Sequence, residues 1–475
     1  MTMKRRVYAL TGVAPEQHAY AMAKYSRSAD SLAESARALS GDRTRKFLET
    51  MYFKYGHASI ADMAHLSMGV EQISLWAALL LLDEPLWDGQ ERSTRYQPFQ
   101  ETGYLVPAGA PPLYTETAQW LMQRYEDTAA HWFHRLEERY PRPESMSPVQ
   151  YEAAIRARAF DIARYYLFLG VNTSVGQVTS ARVLERQVAR LAADPLPEAR
   201  ALAKDLKAAA VENPPEDLSG HGDGAPVAPT LIRYAEPSPY QQIVWSDVRA
   251  IADELLPAVK PDDTASVRLH VAGNPVDEAV AGLLYRVSHL SYSQIGERVQ
   301  HLSTGEKKDV LEAALAKRGP HDEWLREFQG GPIVFDLLLD IGAYRDLHRH
   351  RRTAQVRQEF TTMHGAAVPQ PMRGMAETAG YLEDMDKAAQ WVNTLATWDP
   401  VQAHYMLPLA FRCRALFRMD LAEAGYITKL RSREGGHFSY RAIAYEMYQA
   451  LCRQFPEMAP YLTATDPAQD DPLKR

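Results

Sequence analysis

VYALTGVAPEQHAYAMAKYSRS, beginning at Val7, and VRLHVAGNPVDEAVAGLLYRVS, beginning at Val267, align without a gap. The alignment sets Pro15 against Pro275, Tyr25 against Tyr285 and Ser28 against Ser288. Each stretch opens as a short β-rich segment, crosses a proline turn and enters an Ala-rich amphipathic helix. Further on, ARYYLFLG from Ala163 matches AHYMLPLA from Ala403, read here as the start of a long helix in each copy. Each match is short. Their shared order along the chain is what marks an internal repeat.

Working outward, the chain divides into two repeats at 1–205 and 262–462, joined by a linker at 206–261 and followed by a polar tail at 463–475. The linker contains VENPPEDLSGHGDGAPVAPT (211–230), rich in Pro, Gly and acids. A short helical pattern, WSDVRAIADELLPAV, comes next, with Ser246 as the expected N-cap. Both repeats are mainly helical in pattern, with short strands expected at Val267–Val271 and Gly103–Val106. The fold class expected is α+β: tandem copies of one unit, each a small antiparallel sheet covered by long helices.

Composition narrows the function classes. Of 475 residues, 46% are hydrophobic and 24% charged, which excludes collagen-like, coiled-coil and wholly disordered chains. The net charge of −7 argues against a surface that clings to nucleic acid. Only Cys413 and Cys452 occur, too few for a disulfide scaffold or a Cys-rich zinc module. Both fall in apolar stretches expected to be helical, FRCRALF and ALCRQF, where a buried structural thiol is the expectation. The longest apolar run, Trp76 to Leu82, is short of a membrane span, and MTMKRRVYALTG lacks the apolar core of a signal peptide. The expected address is the cytoplasm.

Two stretches carry chemistry. In Glu91-Arg92-Ser93-Thr94-Arg95-Tyr96, a carboxylate, a hydroxyl and a guanidinium recur at every second residue. In an extended segment they share one face, suited to a ligand with an anionic group and a polar ring edge. The same hexapeptide also suits a solvated loop with a local Glu–Arg pair. Gly56-His57-Ala58-Ser59 reads either as a helix start presenting amides to a phosphate or as a simple cap. The second stretch is YRDLHRHRRTAQVRQEFT, Tyr344 to Thr361; seven of the thirteen residues from Arg345 to Arg357 are Arg or His. It follows the apolar run Ile333 to Leu339, which places it at the rim of a core, with ligand phosphates or acids of the other repeat as counter-ions. A metal at His348 and His350 is disfavoured by the neighbouring guanidiniums. No aromatic platform for RNA accompanies the arginines.

These residues resemble the flavin-dependent thymidylate synthases. That family carries Arg-His-Arg followed by Thr-Ala-x-Val, then Glu-x-Ser-x-Arg-Tyr, with Gly-His-x-Ser upstream and Leu-Pro-Leu, Asn-x-Arg, Leu-Arg and Gln-x-Glu-x-Arg downstream. Repeat one keeps Gly56-His57-Ala58-Ser59 and Glu91 to Tyr96. It has Ser180-Ala181-Arg182 for Asn-x-Arg, Glu198-Ala199-Arg200 near its end, and Asp83-Glu84-Pro85 where the basic triplet belongs. Repeat two keeps the triplet, in register at 349–351 or 350–352, with Leu407-Pro408-Leu409, Leu430-Arg431 and Arg441. Its Ser-x-Arg-Tyr has become Phe360-Thr361-Thr362-Met363, and its Asn-x-Arg reads Asp420-Leu421-Ala422.

The losses are complementary. The family's sites lie between subunits of a homotetramer, so the resemblance implies a homodimer that mimics the tetramer, with composite sites between unlike repeats. It assigns the nucleotide dUMP to Glu91, Ser93, Arg95, Tyr96, Arg182 and Arg200, the first three also as catalytic residues. It assigns FAD to His57, Ser59, Arg349, His350, Arg351, Arg352, Arg431 and Arg441. The implied reaction converts dUMP to dTMP with methylenetetrahydrofolate, reduced FAD supplying the hydride and NADPH renewing it, without a cysteine nucleophile or a metal. Two other readings stay open: another flavin-dependent pyrimidine C5 modification such as hydroxymethylation, and a non-catalytic paralogue that binds a nucleotide or a protein partner.

Overall fold

A computed structural model describes residues 12–26, 32–37, 41–50, 58–99, 101–213, 226–256, 260–469 and 473–474. Gly56, His57 and the opening β-rich segment of repeat one lie outside the described residues. Along the first repeat run α1 (Pro15–Tyr25), α2 (Leu32–Arg37), α3 (Gly41–Leu48), β1 (His65–Ser74), α4 (Leu75–Leu81) and β2 (Asp88–Glu91). They are followed by α5 (Pro112–Arg139), α6 (Pro148–Ala163), β3 (Asn172–Ser180), α7 (Ala181–Ala192), α8 (Pro197–Val211) and α9 (Pro239–Leu255). The second repeat has β4 (Val267–Val271), α10 (Pro275–Arg286), α11 (Tyr292–Gln300), α12 (Thr304–Leu315), β5 (Ile333–Asp340) and α13 (Ile341–His348). It ends with β6 (Ala354–Arg357), α14 (Glu377–Leu395), β7 (Arg412–Met419), α15 (Leu421–Arg431) and α16 (Phe438–Gln454).

The α+β class and the repetition hold. One sheet has the order β1-β3-β2 and the other β4-β5-β7-β6, all antiparallel. The order β5-β7-β6 repeats β1-β3-β2 strand for strand. The helices α1 and α10 start at the aligned prolines Pro15 and Pro275, whose fixed φ suits a first helical residue. In four places a strand runs straight into a helix through a side-chain cap. Ser74 accepts from Ala77 N, Ser180 from Val183 N, Asp340 from Ala343 N and Asp420 from Glu423 N. Ser180 and Asp420 stand where the family motif has Asn, and all three residue types cap helices well. The two departures from Asn-x-Arg therefore preserve the joint.

Two compact units are formed, Met1–Arg92 with Asn172–Val259 and Ser93–Val171 with Lys260–Arg475. They do not follow the contiguous stretches 1–205 and 262–462, because 93–171 packs with the second repeat. The first unit holds the sheet of repeat one with α7 and α8. Thr230 N and Leu231 N, within the expected linker, donate there to the buried Glu16 carboxylate at 2.6 and 2.8 Å. The second unit holds the four-stranded sheet with α5 and α6 laid against repeat-two elements. Trp120 of α5 meets Trp391 of α14 edge to face, and Arg124 Nε donates to Asp384 at 2.8 Å.

Within that second unit the matched segments ARYYLFLG and AHYMLPLA meet. They are not the starts of long helices, as the pattern suggests. Each is a 3₁₀ turn, Arg164–Tyr166 and Gln402–Met406, running into extended chain. Phe168 bridges its own counterpart Pro408. Leu169 N donates to Leu407 O at 3.1 Å and Leu409 N to Leu167 O at 2.7 Å. Gly170 N reaches Tyr405 O at 2.7 Å and Ala410 N reaches Tyr165 O at 3.3 Å. Each bond has its mirror, the signature of a twofold contact between equivalent surfaces.

Three further expectations change. Gly103–Val106 is no strand; Tyr104 forms a single bridge to Val171. The linker helix starts earlier, with Ser238 as cap, and Ser246 lies inside it donating to Ile243 O. Cys413 lies in β7 rather than a helix and is fully buried, which pushes its thiol up to about 12; Cys452 is half-buried on α16.

Candidate functional site

Motif residues from both repeats converge on Tyr440, in the first turn of α16. One is Arg95. Its Nε and Nη2 donate to Asp161 Oδ1 and Oδ2 at 2.7 and 3.2 Å, Nη2 also reaches Gly435 O at 3.0 Å, and Nη1 reaches Tyr440 OH at 3.3 Å. Asp161, from the last turn of α6, is fully buried. Burial works against the charge on Arg95, yet the Asp161 carboxylate outweighs it and holds the guanidinium above its usual pKa. Arg95 is a fixed cation tied into the interior. The Arg431 guanidinium also lies close to Tyr440, 5.5 Å from its ring centre.

Arg431 in turn donates from Nε to His350 Nε2 at 2.7 Å. His350 Nδ1 faces Glu423 Oε1 at 3.5 Å. An Nε2 that accepts leaves the proton on Nδ1, so the ring is neutral. Burial lowers the His350 pKa, overcoming the raising effect of Glu423, which agrees with that tautomer. The central residue of the Arg-His-Arg triplet is thus part of the interior. Its neighbours Arg349 and Arg351 are half-buried and Arg352 is exposed, the last 3.7 Å from Asp420 and 3.8 Å from Glu423. Gln355 of β6 pins the loop that carries them by donating to His348 O and His350 O.

The remaining motif residues are distributed. Ser93 and Tyr96 belong with Arg95 in the second unit; Ser93 Oγ accepts from Arg95 N at 3.2 Å, and Tyr96 is exposed. Glu91 closes β2 in the first unit, half-buried. Arg182 there is exposed and pairs with Asp62 at 2.9 Å, and Arg200 donates to Asp194 O and Pro195 O. Ser59 is exposed on a 3₁₀ turn. Glu84, from the acidic triplet, is buried and clamped by Arg186 and Arg190 of α7 at 2.9 and 3.0 Å. That acid serves the packing of α7.

Arg441, the residue after Tyr440, opens onto a cavity of about 1070 Å³ between α6, β5, the 366–375 segment and α16. Four further guanidiniums line it: Arg139, Arg158, Arg373 and Arg412. Among the described residues of the lining, the acids are Asp340 and Glu446. Asp340 is fixed at the wall. It accepts from Ala343 N at 2.8 Å, from the Tyr165 hydroxyl at 3.2 Å and from the Ser439 hydroxyl, while burial raises its pKa. Burial likewise raises Glu446. Both repeats contribute to the lining. Arg139, Arg158, Arg373 and Arg412 escape sequence reasoning because each stands alone in an unremarkable context. No linear signal groups them, and among the arginines only Arg441 was flagged by a motif.

Known proteins match the chain at several levels. A family model described as thymidylate synthase complementing protein matches residues 9–216 and again 272–457. A UPF0159 protein of Chlamydia muridarum is 24% identical over 447 residues, covering 90% of this chain and 82% of that protein. A UPF0159 protein of Thermoplasma acidophilum is 25% identical over 496 residues, covering 96% of each. Among solved structures, thymidylate synthase X from Helicobacter pylori with FAD and dUMP is 15% identical, covering 41% of this chain and 88% of that one, with a TM-score of 0.25. The UMP/dUMP methylase PolB from Streptomyces cacaoi, bound with 5-Br dUMP, is 13% identical, covering 42% and 94%, with a TM-score of 0.29.

Proposed function

The chain belongs to the thymidylate synthase complementing protein family, the flavin-dependent thymidylate synthases, and we propose that it is a flavin-dependent enzyme modifying a uracil nucleotide. The finer reading is conversion of dUMP to dTMP with methylenetetrahydrofolate as one-carbon donor and NADPH as reductant, at composite sites in a homodimer. One observation carries it. The hexapeptide arginine of repeat one and the Leu-Arg arginine of repeat two, hundreds of residues apart, both meet Tyr440, and the triplet histidine accepts from that second arginine.

The donor set suits a flavin dinucleotide. Arg349, Arg351 and Arg352 share one loop that Gln355 pins, and guanidinium forks of this kind suit a diphosphate; His350 of the same loop accepts from Arg431. Bound reduced flavin would supply the hydride. The chain's own part is positioning and electrostatics. Arg95 acts as a positioning residue, holding Asp161, Gly435 O and Tyr440 in one arrangement. Arg431 orients His350, whose neutral ring keeps the triplet loop in place. Ser93 and the exposed Tyr96 are proposed to face the nucleotide, and Glu91 and Arg182 are proposed as the first unit's contribution.

The test is a flavin absorbance scan with the ratio of FAD to chain, followed by rescue of a thymidine auxotroph. About one FAD per chain and rescue are expected, as for a dimer with two sites. Bound FAD without rescue would redirect the assignment to another pyrimidine C5 modification. Absence of flavin would leave a nucleotide- or protein-binding paralogue. Arg349→Ala should release FAD with the fold intact, whereas Glu91→Gln and Arg182→Ala should weaken dUMP binding and leave FAD in place.

A further inference from the structure

We propose that α9 (Pro239–Leu255) docks on the α9 of a second copy of this chain, as an antiparallel helix pair about a twofold axis at Val248. The helix lies between the two stretches that the family model matches, 9–216 and 272–457, so the family's unit does not account for it. The function proposed above makes no use of it either, and the inference does not rest on that reading. No residue of α9 is buried. Yet Tyr240, Val248, Ile251 and Leu255 keep the spacing of one helix face, and Trp245 and Leu256 widen that face. These six side chains are between 48% and 73% exposed. Gln242, Ser246 and Asp253 fall on the opposite face. A surface helix normally turns such a stripe towards its own core. Here the stripe is left to solvent.

Area, charge and shape point to a copy of the same helix. The six side chains offer roughly 700 Å² of apolar surface, more than the largest patch of a typical monomer, about 300–600 Å². Two such faces offer about 1,400 Å², within the range of stable protein interfaces, about 1,200–2,000 Å². Charge disfavours a lipid surface. The helix carries three acids, Asp247, Asp253 and Glu254, and one base, Arg249, whereas helices that lie on membranes are rich in Lys and Arg. In an antiparallel pair, residues equally far from Val248 meet across the axis. Val248 then meets the partner's Val248, Val244 meets the partner's Ala252, and Tyr240 meets the partner's Leu256. One patch serves both copies, as a twofold contact requires.

Sedimentation equilibrium of the full chain, as wild type and as the double variant Ile251→Asp with Leu255→Asp, tests this. Both positions are exposed, so the fold should survive, checked by an unchanged circular dichroism spectrum. The mass should halve in the variant. The dissociation constant of the lost contact should rise roughly a hundredfold or more, because pairing would bury two unmatched carboxylates per copy. Halving is expected whether the wild type is a dimer or, with a further interface at the proposed composite sites, a tetramer. Ser246→Asp, on the opposite face, should leave the mass unchanged. Cross-linking reads the position separately. In a Cys452→Ser background, where Cys413 is fully buried, oxidation of Val248→Cys should give a disulfide-linked dimer and oxidation of Ser246→Cys should not. A wild-type chain still monomeric at about 100 μM, a mass indifferent to the two aspartates, or cross-linking of Ser246→Cys as readily as Val248→Cys would overturn the inference. Sedimentation of the wild type with phosphatidylcholine vesicles, abolished by the same aspartates, would give the face to lipid and overturn it equally.

Discussion

His437 commits both ring nitrogens at the start of α16: Nδ1 accepts from Ser439 N at 3.1 Å and Nε2 donates to Asp161 O at 2.9 Å. Burial first, then the Arg164 charge, hold its pKa well below the usual histidine value. Unfolded histidine titrates near about 6.5. Below that pH the unfolded chain takes up a proton that folded His437 refuses, so the stability it contributes is present above about 6.5 and lost as pH falls towards the folded pKa. His350, also lowered, acts in the same direction. Between pH 7 and 5, unfolding midpoints of the wild type should fall more steeply than those of His437→Gln, by up to about 1.4 kcal/mol per pH unit. Equal slopes would contradict the neutral cap. The Arg95–Asp161 pair makes a second prediction. Asp161→Asn leaves a buried guanidinium without its counter-charge and should cost about 3–5 kcal/mol by chemical denaturation. Sequence spacing marks Arg95 and His350 as important, yet reads both as ligand contacts. Their partners Asp161, Glu423 and Tyr440 lie on other elements, and burial of a charge cannot be read from neighbours in the chain.

At the scale of elements, four strand-to-helix joints share one capping geometry, with Ser in repeat one and Asp in repeat two. Ser180→Ala should lower stability by about 1 kcal/mol, measurable as a shift in the denaturation midpoint. In the reciprocal contact between 167–170 and 407–410, Gly170 is the counterpart of Ala410, and a Cβ added at Gly170 would stand 3.2 Å from Tyr405 Cβ and Tyr405 O. Gly170→Ala should therefore cost about 1–3 kcal/mol as overpacking, read as a lower melting temperature. An unchanged melting temperature would show that the segment can spread. The alignment finds these segments but misnames them, because Leu-Phe-Leu-Gly and Leu-Pro-Leu-Ala are apolar enough for a helix. What makes them extended is the hydrogen-bond partner each finds in the other.

At the scale of the molecule, 93–171 packs with 260–475 rather than with the rest of its own repeat. Expressed alone, 262–475 should expose the apolar surface that α5 and α6 cover and bind a hydrophobic dye. Co-expression with 1–205 should suppress that binding and give a complex by size exclusion; a monodisperse, dye-silent 262–475 would contradict this. Among the described residues no helix is long and apolar enough to cross a membrane. Duplication, the α+β class and the stock of motifs can all be read along the chain, because period, proline position and capping residues act between near neighbours. The packing of α5 and α6 with the second repeat, the meeting of motif arginines at Tyr440 and the five-guanidinium cavity cannot be read that way. They come from pairing across hundreds of residues, where burial and complementary charge choose the partner and sequence distance carries no information.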